Sequence, residues 1–207
     1  MRKKKILTLT LSVVLFQISI GQELQQAPVN DEFEKFVKSK SKTEGIIPSP
    51  NNYVFSDKVK MDFAKVDYPD SYDLRNESLV TSVKNQGDAG HCWSFAAIGS
   101  IESRNLKLGF QGYNLSEHNL ATCHGFFWEE GGNQSIATAY FSRLSGPILE
   151  VHDPYNDTIF SCSETDQTPS FYVPESRFLP RNPDLIKYYL MNYGAIAVSY
   201  MHDNIHF

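Results

Sequence analysis

Cysteine is scarce in this chain, with three residues among 207, and no two of them lie within three positions of each other. A thiol redox protein needs a second cysteine near the first, usually as C-x-x-C. Ala89 stands where that partner of Cys92 would be. The spacing therefore disfavours a redox function.

Positive charge is also in short supply, since 24 acidic residues outnumber 19 basic ones and give a formal net charge of -5. The two signs are interspersed, so no basic stripe exists for a nucleic-acid backbone and no polybasic segment for a membrane surface. With 41% hydrophobic residues and no low-complexity tract, the chain has the composition of a globular protein of one or two domains. We expect no nucleic-acid partner.

Long apolar runs are missing except at the start, MRKKKILTLTLSVVLFQISIGQ. A basic end, an apolar stretch from Ile6 to about Ile20 and small residues before Gln22 are typical of a secretory signal peptide. A membrane anchor is the alternative, but this run is short and contains Thr, Ser and Gln. We predict a signal peptide over 1–21 and an exported protein, secreted or periplasmic, without a membrane association after cleavage.

The next segment, residues 22–66, is polar and lysine-rich and has little to bury by itself. It could be a linker, a disordered lead-in or a pro-segment that lies across the following domain, and the residues alone leave these alternatives open. From residue 67 to 207 the pattern of apolar residues and turn signals tightens. We predict one folded domain there.

Two helices are predicted in the first half of this domain. One begins near Cys92 and ends before Gly109, and its front half is apolar enough to be buried almost all round. The second has Ser116 as its N-cap and Glu117 in its first turn, and it runs through Leu120.

A third helix and a strand are predicted near the end of the sequence. Asn182 is a suitable N-cap, Pro183 fits the first helical position, and Gly194 follows the last turn. Residues 195–201, AIAVSYM, form a strand candidate. Because a solitary strand is not stable, it either joins a sheet built from earlier residues or the sequence is cut short.

The stretch NQGDAGHCWSF places one thiol, Cys92, at the head of the first helix. The unpaired N–H groups and the positive end of the helix dipole favour the thiolate, which is the nucleophilic form. Gly87 and Gly90 allow a substrate backbone to approach closely. The amide of Gln86 can share a negative oxygen with the backbone N–H of Cys92, an arrangement typical of acyl transfer.

These residues resemble the signature of papain-like cysteine proteases, Q-G-x-x-G-x-C-W, with Gln86 first and Trp93 last. The similarity extends in order along residues 68 to 207. The further segments that resemble the family are SYDLR at 71–75, LSEHNLATC at 115–123, EEGGN at 129–133 and YYLMNYGAIAVSY at 188–200.

The resemblance implies an α+β, papain-like two-domain fold, of which this chain would hold the helical domain and only the first strand of the barrel-like domain. It implies a secreted cysteine peptidase that hydrolyses peptide or protein substrates through a thioester and uses no cofactor or metal. The site residues that it implies are Cys92 as nucleophile, Gln86 as oxyanion donor, and Gly90, Gly131, Gly132, Asn133 and Gln134 around the substrate. The two amides indicate a more polar pocket than is usual in the family.

The resemblance also implies one disulfide. A bridge common in the family has lost both partners here, since Ala89 and Glu129 occupy their places. Cys123 and Cys162 match a second family bridge, which would stabilise the fold by roughly 4 kcal/mol. Cys92 is then the free thiol.

None of the six histidines is a convincing general base for Cys92. His91 is adjacent, but the base must reach the sulfur across the cleft, so we expect it to lie elsewhere. His202 and His206 are four apart but in a predicted strand and loop, which disfavours a metal site. The other histidines, His118, His124 and His152, are expected to be packing or surface residues.

The papain-type histidine and asparagine follow the nucleophile by about 130 to 150 residues, so we expect them beyond residue 207 and predict that this fragment alone is inactive. The alternative is a non-catalytic papain-like module that binds peptides or inhibits proteases.

Overall fold

The computed structural model describes residues 29–39, 45–53, 55, 67–126, 131–162 and 168–200. Within these ranges the chain forms helices and three isolated β-bridges but no β-strand. No helix in the described part is long and apolar enough to cross a membrane. The five helices are α1 (Asp31–Ser39), α2 (Cys92–Lys107), α3 (Glu117–Thr122), α4 (Gln134–Ser142) and α5 (Pro183–Tyr193).

Several predictions made from the sequence fall outside the described residues. These are the signal peptide over 1–21, much of the segment 22–66, and the two last histidines, His202 and His206.

The three predicted helices are confirmed with their boundaries. The side chain of Ser116 accepts a hydrogen bond from the N–H of Asn119 and so caps α3, and the side chain of Asn182 accepts one from Leu185 and caps α5. Each cap satisfies one of the backbone N–H groups that a helix start leaves unpaired. Two helices, α1 and α4, were not predicted.

The structure contradicts the predicted strand over residues 195–201. Residues 195–200 have no regular secondary structure, and residue 201 lies outside the described part. A strand exists only through hydrogen bonds to a neighbouring strand, and none of the three isolated bridges involves these residues. The apolar alternation that indicated a strand therefore leaves Val198 and Tyr200 exposed here.

The hydrophobic core lies among α2, α3 and α4. Helix α2 packs against both, and also against α5. The packing is consistent with the apolar front half of α2, where Trp93 and Ile98 are almost fully buried. The buried core cluster consists of Trp93, Ala97, Ile98, Leu115, Leu120, Ala121, Ile136, Ala137, Tyr140 and Phe141.

A buried ion cluster connects the segment before the thiol to α2 and α3. The Lys84 ammonium donates to Glu102 at 2.9 Å and to Glu117 at 2.7 Å. It also donates to the carbonyl of Leu115 at 3.0 Å. Two buried carboxylates thus share one partly exposed ammonium, and burial raises the pKa of Glu117 from 4.5 to about 7.

Candidate active site

The free thiol of Cys92 stands at the first position of α2 and is partly exposed. The preceding residue, His91, occupies the N-cap position without forming a side-chain cap. The unpaired N–H groups and the positive dipole end of a 16-residue helix therefore lie at the residue that carries the sulfur.

The loop before the thiol is held by its own side chains and by Tyr155. The side-chain amide of Gln86 donates to the carbonyl of Ala89 at 2.9 Å, and a primary amide has a second N–H for a ligand. The Tyr155 hydroxyl donates to the carbonyl of Gln86 at 2.8 Å. Since a hydroxyl has one proton, it must accept the N–H of His91 Nδ1, 3.0 Å away.

This arrangement argues against His91 as the base. Its ring is 1% exposed, and its Nε2 is buried without a hydrogen-bond partner, so neither ring nitrogen bonds to the Cys92 sulfur. Burial lowers the pKa of His91 from 6.5 to about 4, which keeps the imidazole neutral. His91 is a packing residue that braces the Gln86 loop through Tyr155.

A segment from the N-terminal part of the chain, residues 45–49, lies beside the thiol in a groove formed by Gly90, Gly131 and Gly132. We call it the strap. The N–H of Gly132 donates to the carbonyl of Gly45 at 2.8 Å, and the N–H of Ile47 donates to the carbonyl of Gly132 at 2.9 Å. These two bonds form a parallel bridge between Ile46 and Gly132. The groove thus binds an extended peptide through its backbone.

Glycines line the strap on both sides. A β-carbon on Gly132 would overlap the indole of Trp93, and one on Gly90 would stand 2.9 Å from the nitrogen of Gly45 and 3.2 Å from that of Gly131. Real β-carbons are essentially never found as close as 2.9 Å to another heavy atom. Glycine is required at Gly90 because two backbone segments lie close to it, and at Gly132 because the indole of Trp93 occupies the space that a side chain would need.

The two amides after the double glycine have different surroundings. Asn133 accepts a hydrogen bond from the N–H of Ile136, which makes it the N-cap of α4, and its Nδ2 donates to the strap. The Gln134 side chain instead donates to the carbonyl of Trp93 at 3.5 Å. Asn133 therefore contacts the peptide in the groove, whereas Gln134 is directed toward α2.

The structure contains the disulfide between Cys123 and Cys162, with an S–S distance of 2.03 Å. It connects the end of α3 to the segment that follows Tyr155. Cys92 is the free cysteine.

The geometry agrees with a comparison of the whole sequence. The family model described as "Papain family cysteine protease" matches residues 68–207. The chain belongs to the papain family of cysteine proteases.

Three relatives illustrate the similarity. Zingipain-1 of Zingiber officinale is 34% identical over 120 residues, which cover 56% of this chain and 53% of that protein. The cathepsin L-like peptidase of Aedes aegypti is 28% identical over 156 residues, 70% of this chain and 46% of the relative. A solved structure of the cysteine protease and lectin-like domains of Cwp84, a surface layer associated protein of Clostridium difficile, covers 81% of this chain and 39% of its own, with a TM-score of 0.63 and 23% identity.

The solved structure shows the papain-like fold, to which the helices of this chain belong. The chain spans about half the length of the curated relatives it matches.

Most of the predicted papain-family site residues come together around the strap: Cys92, Gly90, Gly131, Gly132 and Asn133. Two features of the site were not found from the sequence. The sequence does not distinguish the strap from a linker or a disordered lead-in within residues 22–66, although the apolar pair Ile46 and Ile47 interrupts a polar segment and is a usable signal. The role of Tyr155 had no local signal, since its partners lie 64 and 69 positions away.

Proposed function

We propose that the full-length protein is a secreted cysteine peptidase in which Cys92 is the nucleophile. The observation that supports this most strongly is that a peptide segment of the chain lies along the glycine-lined groove beside the one free thiol. The groove recognises backbone N–H and C=O groups, which every peptide substrate presents.

The proposed reaction begins at Cys92. The Cys92 thiolate adds to the carbonyl carbon of the scissile bond, and the negative oxygen is stabilised by the backbone N–H of Cys92 and the amide of Gln86. The C–N bond breaks, and the leaving amine takes a proton from an imidazolium. Water then hydrolyses the thioester and restores the thiol. We expect the imidazole from the part of the protein that follows residue 207.

We further propose that residues 22–66 are a pro-segment. The strap supports this because Gly45 lies against the sulfur and its neighbours occupy the backbone donors and acceptors of Gly132. A substrate needs those same groups. Export fits the Cys123–Cys162 disulfide, since such bonds persist in oxidising compartments.

The test is labelling of the full-length protein, after removal of residues 22–66, with a peptidyl epoxide, which alkylates an activated thiol. We expect one label per chain, on Cys92, and hydrolysis of a fluorogenic peptide that stops when the label is attached. A Cys92→Ala variant should take no label, and the 207-residue chain alone should not hydrolyse the peptide. A full-length protein that stays unlabelled after residues 22–66 have been removed would refute the proposal.

A non-catalytic peptide-binding module is the second candidate, because the strap is bound through backbone hydrogen bonds that need no chemistry. The same assay separates the two functions. A binding module would hold the fluorogenic peptide without cleaving it.

A further inference from the structure

The side chain of Asn133 both caps α4 and binds the strap. Its Oδ1 accepts the N–H of Ile136 at 3.0 Å, and its Nδ2 donates to the carbonyls of Ile47 at 3.1 Å and Pro48 at 3.2 Å. An amide oxygen only accepts and an amide nitrogen only donates, so the bond to the helix fixes which end of the side chain faces the strap. The residue is 8% exposed.

The strap carbonyls that Asn133 binds come just after the point where the backbone pairing ends. Ile47 donates to Gly132, but the next residue is Pro48, which has no N–H and cannot continue a ladder. The carbonyl of Ser49 is already bound within the N-terminal segment, by the side chain of Asn30 at 2.9 Å. Asn133 therefore supplies the groove's donor for the two carbonyls between these contacts.

We propose that Asn133 is a positioning residue that fixes an extended peptide in the groove by its backbone, and that it controls how firmly the strap covers Cys92. The resemblance to papain-like proteases placed Asn133 beside the substrate, in a polar pocket. In the structure its amide binds the two successive carbonyls of Ile47 and Pro48. This inference rests on the proposed function only in that the strap occupies the substrate groove.

The two tasks of Asn133 can be separated by substitution. Asp and Ser are good N-caps, so Asn133→Asp and Asn133→Ser keep an acceptor for Ile136. Asp has no N–H and turns a negative oxygen toward two carbonyls, and Ser is too short to replace the amide. Both variants should therefore retain α4 and loosen the strap.

The experiment is hydrogen exchange in the full-length protein, with Cys92→Ala as the background so that the strap stays uncut. We expect the amide of Ile47 to exchange about three- to tenfold faster in both Asn133 variants, the effect of losing about one net hydrogen bond. The amides of Ala137 and Thr138 inside α4 should keep their wild-type rates.

A matched control is available at Asn182, whose side chain caps α5 in the same way but has no hydrogen bond to the strap. Asn182→Asp should leave the exchange of Ile47 unchanged. Unchanged exchange of Ile47 in both Asn133 variants would overturn the inference. So would equal acceleration of Ile47 and α4, because that result would show a purely structural cap.

The readout needs no catalysis, so the inference and the proposed function can fail separately. If the epoxide does not label Cys92 but Ile47 responds to the Asn133 variants, the peptidase proposal fails and the role of Asn133 stands. If the epoxide labels Cys92 but the exchange of Ile47 does not change in the Asn133 variants, the peptidase proposal stands and the role of Asn133 fails.

Discussion

Gly45 of the strap lies against the sulfur of Cys92, so that a β-carbon on Gly45 would stand 3.5 Å from Sγ. Its φ is +103°, a backbone conformation that residues with side chains rarely adopt. The conformation explains why the strap has glycine at the thiol, since a β-carbon at 3.5 Å from Sγ would make only an ordinary van der Waals contact.

Gly45→Ala is the first prediction. The strain of this φ, about 1 to 3 kcal/mol, should weaken the strap and speed epoxide labelling of Cys92 in the uncut full-length protein by about tenfold. Gly109→Ala is the matched control, since Gly109 also has a positive φ, +82°, but lies in open space after α2. If both variants are labelled at the wild-type rate, the strap does not limit access to the thiol.

Tyr155→Phe is expected to loosen the Gln86 loop. The substitution removes the donor to the carbonyl of Gln86 and leaves the Nδ1 of the buried His91 without an acceptor. We expect a loss of about 1 to 3 kcal/mol in the free energy of unfolding, measured with urea, and slower epoxide labelling. Tyr172→Phe, at an exposed tyrosine, should change neither quantity. Unaltered labelling in Tyr155→Phe would contradict a role in positioning Gln86.

The buried carboxyl of Glu117 predicts a pH dependence of stability. Its pKa is raised from 4.5 to about 7, so the folded protein holds this proton more tightly than the unfolded chain does. The stabilisation from this group is full below about pH 4.5 and is lost as the pH rises to about 7. Glu117→Gln cannot titrate and should lack this decline, which urea unfolding at pH 4.5, 6 and 8 would measure.

The control for this prediction is Glu32→Gln, at an exposed position of α1. It should keep the wild-type profile. Parallel profiles for wild type and Glu117→Gln would contradict the pKa shift.

Removal of the Cys123–Cys162 disulfide should destabilise the fold and leave the Cys92 thiol unchanged. The bridge closes a separation of 39 residues, for which the chain-entropy model gives roughly 4 kcal/mol. We expect a loss of that order in urea unfolding of the double variant Cys123→Ser with Cys162→Ser. A reductant should lower the midpoint of the wild type and leave that of the double variant unchanged. A reductant-insensitive wild type would count against the bridge.

The sequence by itself determined the elements that depend on neighbouring residues. Ser116 and Asn182 cap their helices from three positions away, and Cys92 begins α2 as the glycine-containing loop predicted. The ordered motifs likewise indicated the papain family, which the comparison with known proteins confirmed. Helix α4 could have been predicted in the same way, because its first residue is preceded by Asn133, a typical N-cap residue.

Only the tertiary structure decided what fills the groove. The bonds from Asn133 to the strap join residues 85 and 86 positions apart, and no local pattern specifies such a pairing. The same holds for residues 195–200, whose apolar alternation cannot form a strand without a partner. Caps and turns are fixed by short-range hydrogen bonds, whereas the contents of a groove depend on which distant backbone meets its donors and acceptors.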